Sequence, residues 1–303
     1  MSSSPLRSKS GYHARSISLP SRPHPLIPQG DEHLCRLRAF GSTSSSLSSV
    51  AERLSVLEGL YECLDDSLVL PHTQQVFSQQ RHEKWVDDAL DRFLRLLDFC
   101  AIAKDISTQT KQDLQGLLLT LRRRRDGSEL GGYLNSRKNA TKEIQKSLKI
   151  MKSFKSKNSI SDSHNDHDTV AIATLLKEVE ATTIAVFESL FSNLSGTKVK
   201  SKLNGFSLVL SKSKDEETNT NEFEKVDVAL NALKGHKTSK FDGTIQVEEV
   251  QNLLQKTELS IQDIEQGLEC LFRRLIKTRV SLLNILNRKA RKSWFGIIGI
   301  KIL

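Results

Sequence analysis

The stretch VEEVQNLLQKTELSIQDIEQGLECLFRRLIKTRVSLLNIL at residues 247–286 decides the fold. Val247, Val250, Leu254, Thr257, Ile261, Ile264, Leu268, Leu271 and Leu275 follow one another at alternating steps of three and four, and Leu282 and Ile285 extend the series. That is the period of one helix face. Two readings compete: one helix of a bundle within the chain, or a coiled-coil strand that joins two chains into a homo-oligomer through the 247–285 helix. The bundle is preferred. Other long helices carry stripes that need partners, and Glu265, Glu269 and Arg273 do not complete the charge code of a dimer seam.

The same period recurs upstream. Leu47, Val50, Leu54, Leu57, Tyr61, Leu64 and Leu68 predict a helix from about Ser46 to Leu70, ended by Pro71. Val86, Leu90, Phe93, Leu97 and Cys100 open a very long helix over Gln80–Arg125. Its stripe thins between Lys104 and Lys111 and returns at Leu114, Leu117 and Leu121. At 1.5 Å per residue this rod would span roughly 65–70 Å. Gly127, Gly131 and Gly132 read as a turn, followed by a basic helix from Tyr133 to Lys155. Asp168 reads as the cap of a helix reaching Leu194, with Ile172, Leu176, Val179, Thr183, Val186 and Leu190 as its stripe. Phe223–Leu233 is a short helix ended by Gly235, and Asp31–Phe40 another. The prolines stand at 5, 20, 23, 25, 28 and 71, so the last 232 residues have none. A helix interior loses about 3 kcal/mol to a proline, and their absence permits long rods.

These readings predict an all-α protein. Long antiparallel helices form an elongated bundle over 31–287, with polar linkers near 156–168 and 195–221. Residues 1–30, rich in Ser, Arg and Pro and free of acids, are expected to be a disordered tail. Residues 288–303 form a separate basic and apolar tail.

Composition bounds the function. Hydrophobic residues make up 37% and charged residues 27%, which allows only a lean core. The net charge of +9 favours acidic partners. Cysteines at 35, 63, 100 and 270 stand too far apart for a zinc pattern or a disulfide framework. No phosphate loop, GxGxxG, GxSxG or HExxH is present. The chain is therefore read as no enzyme, with no catalytic residue, no metal site and no cofactor. His164, Asp166, His167 and Asp168 read as a polar loop and cap. His82, Glu83 and Trp85 read as first-turn and packing residues.

Three segments carry candidate contacts. Lys138, Lys142, Lys146 and Lys149 fall on one stripe of the basic helix, opposite Ile144, Leu148 and Met151. Such a helix suits an anionic membrane surface or a calmodulin-like partner, and its bland reading is a solvated bundle face. Nucleic acid is disfavoured, because no recognition motif or aromatic set accompanies the charge. At the C-terminus, Arg291 and Lys292 precede Trp294 and Phe295 in an apolar run too short to span a bilayer. This tail suits surface association. At the N-terminus, Arg15-Ser16-Ile17-Ser18-Leu19-Pro20 has the form R-S-x-S-x-P. Phosphorylated Ser18, with Arg15 before it and Pro20 after it, fits the phosphopeptides read by 14-3-3 proteins. Localisation is expected to be cytoplasmic or at a membrane periphery. Organelle import through residues 1–30 is the alternative.

RSISLPSRPHP at 15–25, LCRLR at 34–38, LPHTQQ at 70–75 and HEKWVDDALD at 82–91 form a distinctive set. LRLLDFCAIAKD at 94–105, LRRRR at 121–125 and FRRLIKTRVSLLNIL at 272–286 complete it. Over roughly residues 12–287 the chain resembles a plant-specific family of helical proteins grouped with the BYPASS proteins. The resemblance implies a non-enzymatic protein tied to root and shoot development, with no catalytic motif to carry over. Family members end soon after the segment matching Leu282–Leu286, so the apolar tail departs from the pattern.

Overall fold

The structure, a computed structural model, describes residues 26–40, 46–80, 84–123, 128–156, 167–196, 221–235 and 242–298; the description leaves out the side chains of some helix ends, 288–298 among them. Described residues form the helices α1 (Leu26–Ala39), α2 (Leu47–Val69), α3 (Pro71–Gln79), α4 (Lys84–Arg122), α5 (Ser128–Ser156), α6 (His167–Ser195), α7 (Glu222–Gly235) and α8 (Asp242–Ile298). No strand occurs among the described residues.

Local chemistry sets several of the ends. The Ser46 side chain accepts the Ser49 backbone N–H at 3.2 Å and caps α2. Leu70, extended before a proline, breaks the helix, and Pro71 then serves as the first residue of α3. The stop signal at Pro71 is thus also a start, and the sequence stripe had no place for α3. Gly196 ends α6 with φ at +68°, the left-handed geometry glycine adopts without strain.

Four helices form the core. All seven stripe residues of α2 are buried, and so are Val250 to Leu275 of the α8 stripe. α8 lies between α2 and α4, α6 closes the ring against both, and the Tyr61 and Phe93 rings meet across the centre. Side-chain pairs fix the directions. Lys104 meets Glu269 and Gln115 meets Glu258, so α4 and α8 are antiparallel. Tyr61 meets Thr183 and Arg53 meets Ser189, which makes α2 and α6 antiparallel. α2 and α8, however, run parallel: Leu54 lies on Gly267, Glu62 pairs with Arg274, and Asp65 takes Thr278. α5 returns antiparallel along α4, with Ser136 on Asp113 and Phe154 on Phe99, and lies on the outside against α4 and α6. α1 covers α2 and α6, while α7 covers α8.

The α8 stripe is therefore spent within the chain. Glu265 takes Thr108 and Lys111, Glu269 takes Lys104 and its own-helix Arg273, and all but Arg273 lie on α4. Several expected limits shift. α1 begins at Leu26, inside the expected 1–30 tail, because Pro28 is tolerated in a first turn. α4 is about 58 Å long rather than 65–70 Å. Gly131 and Gly132 are helical and form no turn, with open space around each. α6 starts at His167, which places Asp168 inside the first turn rather than at the cap. α8 continues to Ile298, past the boundary at 287, with no proline to stop it.

Candidate functional site

α5 places the predicted lysines together. Lys138, Lys142, Lys146 and Lys149 are exposed, while Ile144 and Met151 are buried against the core. Lys152 adds a fifth exposed cation to the same face. Lys146 pairs with Glu143 at 2.6 Å along the helix, and Lys155, off the ridge, reaches Glu188 of α6 at 2.6 Å. Two other predicted groups fall outside the described side chains. Arg15, Ser18 and Pro20 lie outside the described residues. Arg291, Lys292, Trp294 and Phe295 have helical backbone in α8, and their side chains lie outside the description.

The interior holds charged groups that the sequence reading missed. Arg92 of α4 forks onto both carboxylate oxygens of buried Glu180 on α6, with its guanidinium over the Phe154 ring of α5. One arginine therefore ties three helices. Asp65, buried on α2, accepts the Thr278 hydroxyl at 2.7 Å and pairs with Lys277 at 3.1 Å. Arg53 donates to the Ser189 hydroxyl at 2.7 Å and to the Phe40 carbonyl at 2.5 Å.

A polar clasp closes one end of the bundle. Arg137 of α5 donates to the Leu194 carbonyl at 2.6 Å and stacks on the Phe223 ring of α7. A cation there suits the negative end of α6. Asn221 donates to the Asn193 carbonyl at 2.8 Å and accepts the Phe223 N–H at 3.0 Å, so it caps α7 while holding the end of α6. Glu222 accepts the Leu47 N–H at 3.1 Å at the positive end of α2. The clasp joins residues from segments as much as 175 positions apart. Its only sequence signal is Asn221 preceding an apolar-periodic run.

Titratable groups near the core are perturbed by burial. Burial pushes the Cys100 thiol up to about 12, and it donates to the Leu268 carbonyl at 3.6 Å. Burial likewise raises the Tyr61 and Tyr133 hydroxyls. It also raises the Asp227 carboxyl, against the pull of Arg137. Glu269 is lowered, first by the hydrogen bond from Lys104. Among the described residues no group of His, Cys, Asp and Glu has the arrangement of a metal site. None of the described helices is long and apolar enough to cross a membrane.

The family described as Protein BPS1 matches residues 53–285. The span runs from Arg53 of α2 to Ile285, a buried residue near the end of the α8 stripe, and so takes in most of the four-helix core, leaving out Leu47 and Val50 at the start of α2. No curated protein matches the chain, and no solved structure does. The match covers well over half of the residues, and the chain belongs to the Protein BPS1 family, the BYPASS grouping that its motifs resemble.

Proposed function

We propose that the chain is a non-enzymatic regulator of the BYPASS type, acting in plant root and shoot development through its outer helix faces. The observation that supports this reading is the use made of the interior charges. Arg92 is committed to Glu180, Asp65 to Thr278 and Lys277, and Arg137 to the Leu194 carbonyl. Each joins one helix to another, which is a structural use. The surfaces then carry the recognition, with phosphorylated Ser18 as the docking point for a 14-3-3 type partner in this proposal.

Genetic complementation tests it. The double change Arg92→Met with Glu180→Leu removes interior charges but keeps apolar volume. If that variant folds, it restores normal root and shoot growth to a plant lacking the gene. Ser18→Ala in the full chain weakens the rescue and abolishes 14-3-3 capture. A folded Met/Leu variant that fails to rescue would place function in the interior and overturn the reading.

A further inference from the structure

We propose that the exposed lysine ridge of α5 is a contact surface for the anionic headgroups of a lipid bilayer. This goes beyond the regulatory reading and stands independently of it, because it says where the protein rests rather than what it regulates. Lys138, Lys142, Lys146, Lys149 and Lys152 share one exposed face that is about 21 Å long at 1.5 Å per residue. Asn135, Gln145 and Ser153 fill the spaces between them, and all three are polar or small. The only carboxylate pairing this ridge among the described residues is Glu143, on Lys146. No described ion pair engages Lys138, Lys142, Lys149 or Lys152.

The ridge is open to a flat partner. Among the described residues α5 packs against α4 and α6, and its lysine face is exposed. The residue types choose among anionic partners. The arginine of the described part of α5, Arg137, is buried in the clasp, and Tyr133 and Phe154 turn toward the core. The ridge therefore offers no guanidinium fork and no stacking ring, the groups that grip nucleic acid. It also lacks the central apolar or aromatic anchor of a protein interface. Its one exposed large apolar residue, Ile150, sits at the margin. What remains is a straight row of compact point charges. A bilayer matches it, because laterally mobile phosphates arrange themselves around lysines without a fixed geometry.

The test uses the full chain and sedimentation with phosphatidylcholine vesicles, with and without about 30% phosphatidylserine. The chain binds the phosphatidylserine vesicles and not the neutral ones, and binding falls as salt rises. Changing Lys138, Lys142, Lys149 and Lys152 together to Gln keeps the helical spectrum. It lowers the partition constant about fivefold per lysine, the factor that matches about 1 kcal/mol for each charge at an anionic surface. Changing exposed Lys84, Lys225 and Lys256 to Gln instead has a much smaller effect, although it also removes charge. Changing the four ridge lysines to Arg retains binding. The proposal is overturned if the wild-type chain ignores phosphatidylserine, or if the four-Gln variant binds as well as the wild type. It is also overturned if the ridge variants lose binding to a duplex RNA while vesicle binding is unchanged.

Discussion

Arg92 shows at the residue scale how the interior uses charge. Its guanidinium and the Glu180 carboxylate are largely hidden from solvent, so each depends on the other for the hydrogen bonds that water no longer supplies. Glu180→Ala leaves the guanidinium buried and unpaired, and it should cost about 3–5 kcal/mol in chemical denaturation. The Met/Leu double variant should cost far less, since both charges leave together. Cys100 gives a second expectation, in pH. Its ordinary value lies near 9, and in the fold it is pushed up to about 12. The unfolded thiol therefore ionises first, so the contribution is intact below pH 9 and lost as pH rises toward 12. The raised Tyr61 and Tyr133 hydroxyls add to the same alkaline loss. Denaturation midpoints should hold steady near neutral pH and fall above about pH 9, with a shallower fall in Cys100→Ala. Alkylation of the native protein should mark exposed Cys35 and spare Cys100.

Glycines separate close contact from open space at the scale of the element. A Cβ on Gly267 would stand 3.0 Å from the Leu54 Cβ, an atom fixed to the α2 backbone, so the parallel pair α2 and α8 is set by that gap. Gly267→Val should force the helices apart and cost about 1–3 kcal/mol. Gly116 has nothing within 4 Å in the exposed part of α4, and Gly116→Ala should stabilise by up to about 1 kcal/mol. Thermal unfolding of the two variants should move in opposite directions. The same contrast explains what was legible in the sequence. The stripes of α2, α6 and α8 could be read because apolar spacing reports which face is buried. Spacing does not report which helix covers that face or in which direction it runs, so the parallel pairing of α2 and α8 was hidden. The thin part of the α4 stripe is buried too, filled by Ile106, Ser107 and Thr110, and Thr110 hides its hydroxyl on the Ile106 carbonyl. Polar residues satisfied in this way do not count as apolar in a periodic search. The lysine face was legible because exposure and charge both follow one helix, whereas the clasp of Arg137, Asn221 and Glu222 with Leu47, Asn193 and Leu194 is assembled from four distant segments.

The whole molecule turns on whether one chain suffices to bury the α8 stripe. Within the chain that stripe meets α2 on one side and α4 on the other, and the flanking carboxylates Glu258, Glu265 and Glu269 each find a donor on α4. A seam between two chains would need those same faces, so the folded unit is expected to be a single chain of 34.1 kDa. Light scattering should return that mass. A stronger check is thermal, because an assembly that folds only on association melts earlier when diluted, and a self-sufficient chain does not. The melting midpoint should therefore stay constant over roughly a hundredfold dilution. Ile264→Asp carries the same question into the core. Ile264 is fully buried in the middle of the stripe. An unpaired carboxylate there costs several kcal/mol, a large part of the roughly 5–15 kcal/mol that holds a domain together. In a self-contained bundle the helical signal of this variant collapses at every concentration. In an intersubunit seam the variant would instead separate into chains that stay helical, and circular dichroism beside light scattering distinguishes the two outcomes.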